Sequence, residues 1–174
     1  MEPEHCEELV EKLLCNDVVQ PIGLGARDSL RLEAGLCLYG HDIDETTSPI
    51  EANLLWALSR SRRVGGTRAG GYLGADVITK QLTDGVSRKR VGLKPNSRTP
   101  VREGIKILDG SETPIGIVTS GGFGPSVDRP IAMGYVSSGY DKPGTNLYAL
   151  VRNKKIPITV ATLPFSPHRY YRGP

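Results

Sequence analysis

Hydrophobic positions along the chain first recur at helical spacing and later at strand spacing. From Glu4 to Leu14, Cys6, Val10, Leu13 and Leu14 fall on one stripe with Glu7, Glu8 and Glu11 opposite, which predicts a helix. It starts directly behind Met1, with no preceding element to pack on. Pro21 to Gly25 reads as a loop. Ala26 to Ala34 predicts a second helix closed by Gly35, with Arg27, Arg31 and Ala34 on one face and Leu30 and Ala34 expected to face the core. Leu36 to Tyr39 predicts a strand ended by Gly40. Ser48, Pro49 and Glu51 stand as N-cap, first and third positions of a brief helix. Leu54 to Leu58 fits helix or strand. Arg60 to Gly71 carries four arginines and four glycines without periodicity and reads as a linker, and Tyr72 to Leu82 predicts a short helix on Val77, Ile78 and Leu82.

Beyond it the texture changes. Strand-like runs cover 90–93, 105–108, 115–119, 131–136, 147–151 and 156–163, punctuated by Gly, Pro, Asp or Asn. Short strands at this spacing predict an all-β barrel or sandwich. The boundary between the two parts falls near residues 62 to 70.

Composition sharpens this. A chain of 174 residues has room for one core, and 21 glycines with 13 prolines favour turns and short strands. Aromatics are few but apolar content is ordinary, so disorder and collagen-like repeats are excluded. The net charge of +3 conceals a segregation. Residues 1–59 hold 12 acidic and 3 basic groups, whereas residues 60–106 hold 12 basic and 3 acidic. Such bipolarity suggests surfaces with different partners. No apolar run approaches the ~20 residues of a membrane span. The first dozen residues are acidic, unlike a secretory signal or transit peptide. Cys6, Cys15 and Cys37 lack CxxC spacing, which argues against a disulfide framework or zinc site and for a reducing compartment.

Candidate chemistry comes with plain alternatives. Arg27 and Arg31, one turn apart, can clamp a carboxylate or phosphate, but the spacing favours a surface pattern with local ion pairs to Asp28 and Glu33. His41-Asp42-Ile43-Asp44-Glu45 fails as a calcium loop, since counting from Asp42 there is no glycine at the sixth position and the twelfth is Asn53, and it reads as a solvated acidic turn. No metal site is expected at His5, His41 or His168. The glycines at 65–71 and 120–124 match neither a P-loop nor a dinucleotide fingerprint and read as turns. The basic block of Arg60, Arg62, Arg63, Arg68, Arg88, Lys89 and Arg90 lacks interleaved aromatics, which argues against nucleic acid and for a solvated face or a dock for an acidic protein. The tail from Pro164 to Tyr171 carries Phe165, Tyr170 and Tyr171 and is expected to pack back on the body, with a tyrosine closing a ligand pocket.

These residues carry a family resemblance. The run Gly25-Ala26-Arg27-Asp28-Ser29-Leu30-Arg31-Leu32-Glu33-Ala34-Gly35-Leu36-Cys37-Leu38-Tyr39-Gly40 resembles the signature of the aminomethyltransferases, the T-proteins of the glycine cleavage system. Asp42-Ile43-Asp44-Glu45, Thr47 to Ala52, Arg88 to Leu93, Ile117 to Gly121, Ala132 to Val136, Pro143-Gly144-Thr145 and the ending Leu163 to Tyr171 continue it, over essentially residues 20–174.

The resemblance implies transfer of a methylene carbon from aminomethyl-lipoate on the H-protein to tetrahydrofolate, with release of ammonia. It implies an α+β fold: 1–62 as the end of a folate-binding domain, 63–83 as linker and short helix, and 84–174 as a Greek-key-like barrel. By it, Arg27 and Tyr170 are folate contacts. A planar cation and an amphipathic ring suit a pterin and a glutamate tail. The catalytic Asp and pterin-binding Glu of the family are expected upstream of residue 1, so no catalytic residue is assigned here and the polypeptide alone is expected to be inactive. Mitochondrial location follows by likeness to eukaryotic members. The alternatives are the folate-binding part of a sarcosine or dimethylglycine dehydrogenase and a non-enzymatic folate- or RNA-binding module.

Overall fold

The computed structural model describes residues 2–173. A 3-10 turn at Pro3–His5 leads into α1 (Cys6–Leu14), and α2 follows at Leu24–Glu33. After short 3-10 turns at Leu55–Ala57 and Arg60–Arg62 comes α3 (Ala75–Asp84). Six strands then follow: β1 (Arg88–Pro95), β2 (Lys106–Leu108), β3 (Pro114–Gly124), β4 (Arg129–Ser137), β5 (Asn146–Val151) and β6 (Lys154–Ala161).

The strands close into an antiparallel barrel in the order β1-β4-β3-β2-β5-β6, with β6 returning to β1. Strands β2, β3 and β4 form a meander and β1 lies beside β4, which is a Greek key. Closure leaves the sheet without a free edge. Alternate residues point inward, so Val91, Leu93, Ile107, Val118, Leu147 and Ile158 fill the barrel. A second cluster of Leu32, Ile131, Met133 and Phe165 lies between α2, β4 and the tail.

The expected six strand-like runs all become barrel strands. Residues 120–124 do not form a turn: they are the end of β3. Glycine is needed there for close approach, since a Cβ at Gly121 would lie 1.8 Å from the Val101 carbonyl oxygen. That contact seats the buried Val101, and with it the β1–β2 connection, against β3.

Other expectations are corrected in the helical part. Leu30 is 57% exposed, and it is Leu32, at 2%, that enters the core. The facing of α2 is set by its buried Leu32 and Glu33. Gly35, at φ +68°, ends the helix as the expected cap. Leu36 to Tyr39 is not a strand and forms only a bridge from Tyr39 to Ile43. Its backbone instead wraps Asp42: the Leu38 carbonyl accepts from the His41 and Asp42 N–H groups. The capping box forms reciprocally, Ser48 N–H to Glu51 and Glu51 N–H to Ser48 Oγ. It closes a single turn, because Asn53 adopts φ +57°. The apolar stripe of α1 is exposed at Leu9, Val10, Leu13 and Leu14.

Candidate functional site

Helix α2 meets the barrel through charged groups taken out of water. Asp42 is 1% exposed. Its carboxylate accepts from Arg31 Nη1 at 2.6 Å, Ser120 Oγ at 2.8 Å, Thr119 Oγ1 at 2.6 Å and the Leu38 N–H at 3.0 Å. Tyr135 donates its hydroxyl to the Asp42 carbonyl at 2.7 Å. Two consecutive strand residues ordinarily point to opposite faces. Thr119 and Ser120 both reach Asp42 because the β3–β4 register shifts between Val118 and Ser120, and the bulge re-aims one side chain. The expected solvated acidic turn is therefore wrong for Asp42. It holds for Asp44, whose carboxyl is kept below its usual range by the Thr46 hydroxyl and N–H and the Thr47 hydroxyl.

Arg31 is the other half of this junction. It also pairs with Asp28 at 2.5 Å and donates to Ser120 Oγ at 2.9 Å. Its guanidinium is thereby committed inside the protein and does not form a ligand clamp with Arg27. One turn earlier, Arg27 makes no ion pair among the described residues.

The tail docks on the same helix. Glu33, buried, accepts from the Ser126 N–H and Oγ and the Val127 N–H, which fixes the β3–β4 turn. Its backbone carbonyl accepts from the Phe165 and Ser166 N–H groups. His168 Nε2 donates to the Ala34 carbonyl at 3.0 Å, and its ring lies 4.8 Å from that of Tyr170. The expected return of the tail onto the body therefore holds through Phe165 and His168, whereas Tyr171, expected to pack with them, is 88% exposed.

Two clefts open here. One, of about 500 Å³, is lined by Leu24, Arg27, Leu30, Arg31 and Tyr170 among others. Its neighbour, of about 660 Å³, is lined by Trp56, Arg90, His168, Tyr170 and Arg172 among others. Arg27 and Tyr170 thus border one cleft, and Tyr170 stands between the two. The arrangement offers an unpaired guanidinium, a half-exposed phenol and apolar walls, which suit a flat heteroaromatic with an anionic extension.

Sequence reasoning missed Asp42, Glu33 and Arg90 as buried charges. Arg90 is not part of an exposed basic face: it donates to the carbonyls of Ala52 and Gly35. Arg62 and Arg63 donate to carbonyls of their own loop, at Gly70, Leu58 and Leu55. Arg88 pairs with Glu51 and lies over the Tyr135 ring. The signal available was the carboxylate placed between Tyr39-Gly40 and Thr46-Thr47, but nothing in that pattern names its partners on β3. Among the described residues no cluster of three or more His, Cys, Asp or Glu is arranged for a metal. Burial pushes the Cys37 thiol up, so it is not poised as a thiolate.

Comparison with known proteins places this architecture. Residues 88–166 match the family described as glycine cleavage T-protein C-terminal barrel domain, and residues 1–62 match the GCVT N-terminal domain. A mitochondrial aminomethyltransferase of Gallus gallus is 50% identical over 164 residues, covering 94% of this chain and 41% of that protein. Its counterpart in Pisum sativum is 48% identical over 171 residues, covering 97% and 41%. The crystal structure of the glycine cleavage system aminomethyltransferase T from Bartonella henselae superposes with a TM-score of 0.87 at 47% identity, over 97% of this chain and 46% of that one. The chain therefore spans less than half the length of these relatives.

Proposed function

Because the chain belongs to the glycine cleavage T-protein family, we propose that it forms the folate-facing part of an aminomethyltransferase that passes a methylene carbon to tetrahydrofolate and frees ammonia. The observation that carries this is the cleft bordered by both Arg27 and Tyr170, residues brought together only because the tail docks on α2. Arg27 would pair with the folate carboxylate tail, and Tyr170 would stack on or hydrogen-bond the ring system. The Asp42–Arg31 junction holds α2 so that Arg27 faces the cleft. The role proposed for these 174 residues is to bind and orient folate, not to move its protons. The methylene donor would be aminomethyl-lipoate on the H-protein, and the site of action mitochondrial, as in the names of the eukaryotic relatives.

A dehydrogenase tail is not favoured, since these relatives are aminomethyltransferases. An RNA-binding module is disfavoured by the dispersal of the basic block, with Arg90 buried and Arg62 and Arg63 held by loop carbonyls.

Trp56 is the single tryptophan and lines the cleft adjoining Tyr170. Its fluorescence should therefore change saturably on titration with tetrahydrofolate. Arg27→Ala and Tyr170→Ala should each weaken binding by about tenfold, equivalent to ~1.4 kcal/mol. Affinity unchanged from that of the unsubstituted chain in both variants would refute the assignment.

A further inference from the structure

A third cleft, of about 500 Å³, shares no lining residue with the two beside α2. Its rim carries Arg102, Arg152 and Lys154, and its floor Ile105, Val151 and Ile156. None of the three cations forms an ion pair among the described residues, and no carboxylate lines the cleft. A cationic rim over an apolar floor is the inverse of an ordinary solvated surface, where basic groups alternate with acidic ones.

Both sides of the cleft are rigidly supported. Arg102 follows Val101, which is packed against Gly121, and the connection is pinned by Gly104 N–H to the Val118 carbonyl and Val118 N–H to the Ile105 carbonyl. Arg152 and Asn153 form the two-residue turn between β5 and β6, with Val151 paired to Lys154. Their φ values are +47° and +61°. That is the geometry of a type I′ turn, for which Asn-Gly and Asp-Gly are preferred. Asn153 tolerates this conformation, whereas an arginine at the first position is strained. Strain kept at a residue that makes no ion pair within the described residues points to a role outside the fold. Arg152 donates no side-chain hydrogen bond to the protein among the described residues.

From these observations we propose that this cleft is a binding site for small amphiphilic carboxylates, with the carboxylate on Arg102, Arg152 and Lys154 and a short alkyl body on Ile105 and Ile156. The volume falls in the range of small-molecule sites. The proposal is independent of folate binding at α2.

The test uses the whole chain with methyl-labelled isoleucine and hexanoate as probe. The methyl resonances of Ile105 and Ile156 should shift saturably, while those of Ile78 on α3 stay fixed. Arg102→Gln and Lys154→Gln should each weaken hexanoate binding at least fivefold. Arg152→Asn should weaken it similarly while leaving Tm unchanged or raised, because asparagine removes the charge and suits the turn. A fall in Tm for Arg152→Asn would show that the arginine is retained for the fold and would overturn the proposal. So would the absence of saturable shifts, shifts of equal size with inorganic phosphate, or tighter binding of a glutamate-rich peptide than of hexanoate.

Discussion

Replacing Asp42 by asparagine isolates the charge of the buried junction from its shape. The amide is nearly isosteric, so no cavity opens, but Arg31, Ser120, Thr119 and the Leu38 N–H all donate to this carboxylate. The amide NH2 group would face donors with a donor. Removing one partner of a buried ion pair costs ~3–5 kcal/mol. Arg31 keeps Asp28, whose side chain is 57% exposed, and its own side chain is 13% exposed, so the lower end applies. A loss of about 3 kcal/mol, at roughly 2–4 °C per kcal/mol for a chain of this size, lowers Tm by about 6–12 °C. Thermal unfolding followed by circular dichroism measures it. Arg31→Met and the double variant complete a cycle. If Asp42 acts chiefly by compensating Arg31, the double variant loses clearly less than the sum of the two. A Tm drop below about 2 °C, or strict additivity, would refute the reasoning. Because α2 also carries Arg27, Asp42→Asn should weaken tetrahydrofolate binding beyond what its Tm loss at assay temperature explains.

Three further outcomes follow from particular contacts. Burial pushes the Tyr135 hydroxyl far above its ordinary value of 10, so its stabilising contribution is complete below pH ~10 and is lost as pH rises above that, when the unfolded chain ionises first. Urea midpoints measured from pH 8 to 11.5 should fall steeply above pH 10, and Tyr135→Phe should flatten that fall. Adjacent glycines on β3 should behave oppositely: Gly121→Ala drives a Cβ into the Val101 carbonyl and should cost ~3 kcal/mol or more, whereas Gly122→Ala meets only Leu32 at 3.7 Å and should cost less than ~1 kcal/mol by urea unfolding. Within the basic block, read from the sequence as a solvated face or a dock for an acidic protein such as the H-protein, Arg60 and Arg68 make no side-chain hydrogen bond among the described residues, unlike Arg62 and Arg63. Reversal of Arg60 and Arg68 to glutamate should therefore weaken H-protein binding several-fold at low salt, with the difference vanishing at high salt; calorimetry showing no change would remove this face from the interface.

The barrel was legible in the sequence because its information is local and repeated. Each strand is a short apolar alternation between turn residues, and all six runs appear, with β1, β3 and β4 longer than expected. Closure into a barrel was not legible, since a sandwich has the same alternation and only the β1–β6 pairing separates them. Arg27 and Tyr170 were named through resemblance; periodicity alone left Arg27 and Arg31 as a surface pair. Leu30 was misassigned because Leu30 and Leu32, two residues apart, lie on opposite sides of the helix and offer two candidate core faces, and the choice is made by what β4 and the tail present.

Charge was misread for a deeper reason. Net charge per segment counts groups as though all faced water, and the segregation between 1–59 and 60–106 suggested separate surfaces. Yet on each side of that divide a decisive charge is buried and spent inside. Asp42 and Glu33 belong to the acidic segment and are satisfied by Ser120, Thr119 and Ser126 of the barrel. Arg90 belongs to the basic segment and is satisfied by carbonyls of Gly35 and Ala52. These bonds cross the charge boundary in both directions, so residues 31–53 are held to the barrel by the very groups that made them look distinct from it. A buried charge is tolerated only where its partners are fixed. That requirement makes the α2–barrel contact rigid, and it is this rigidity that lets an exposed Arg27, one turn from Arg31, hold a fixed position beside Tyr170.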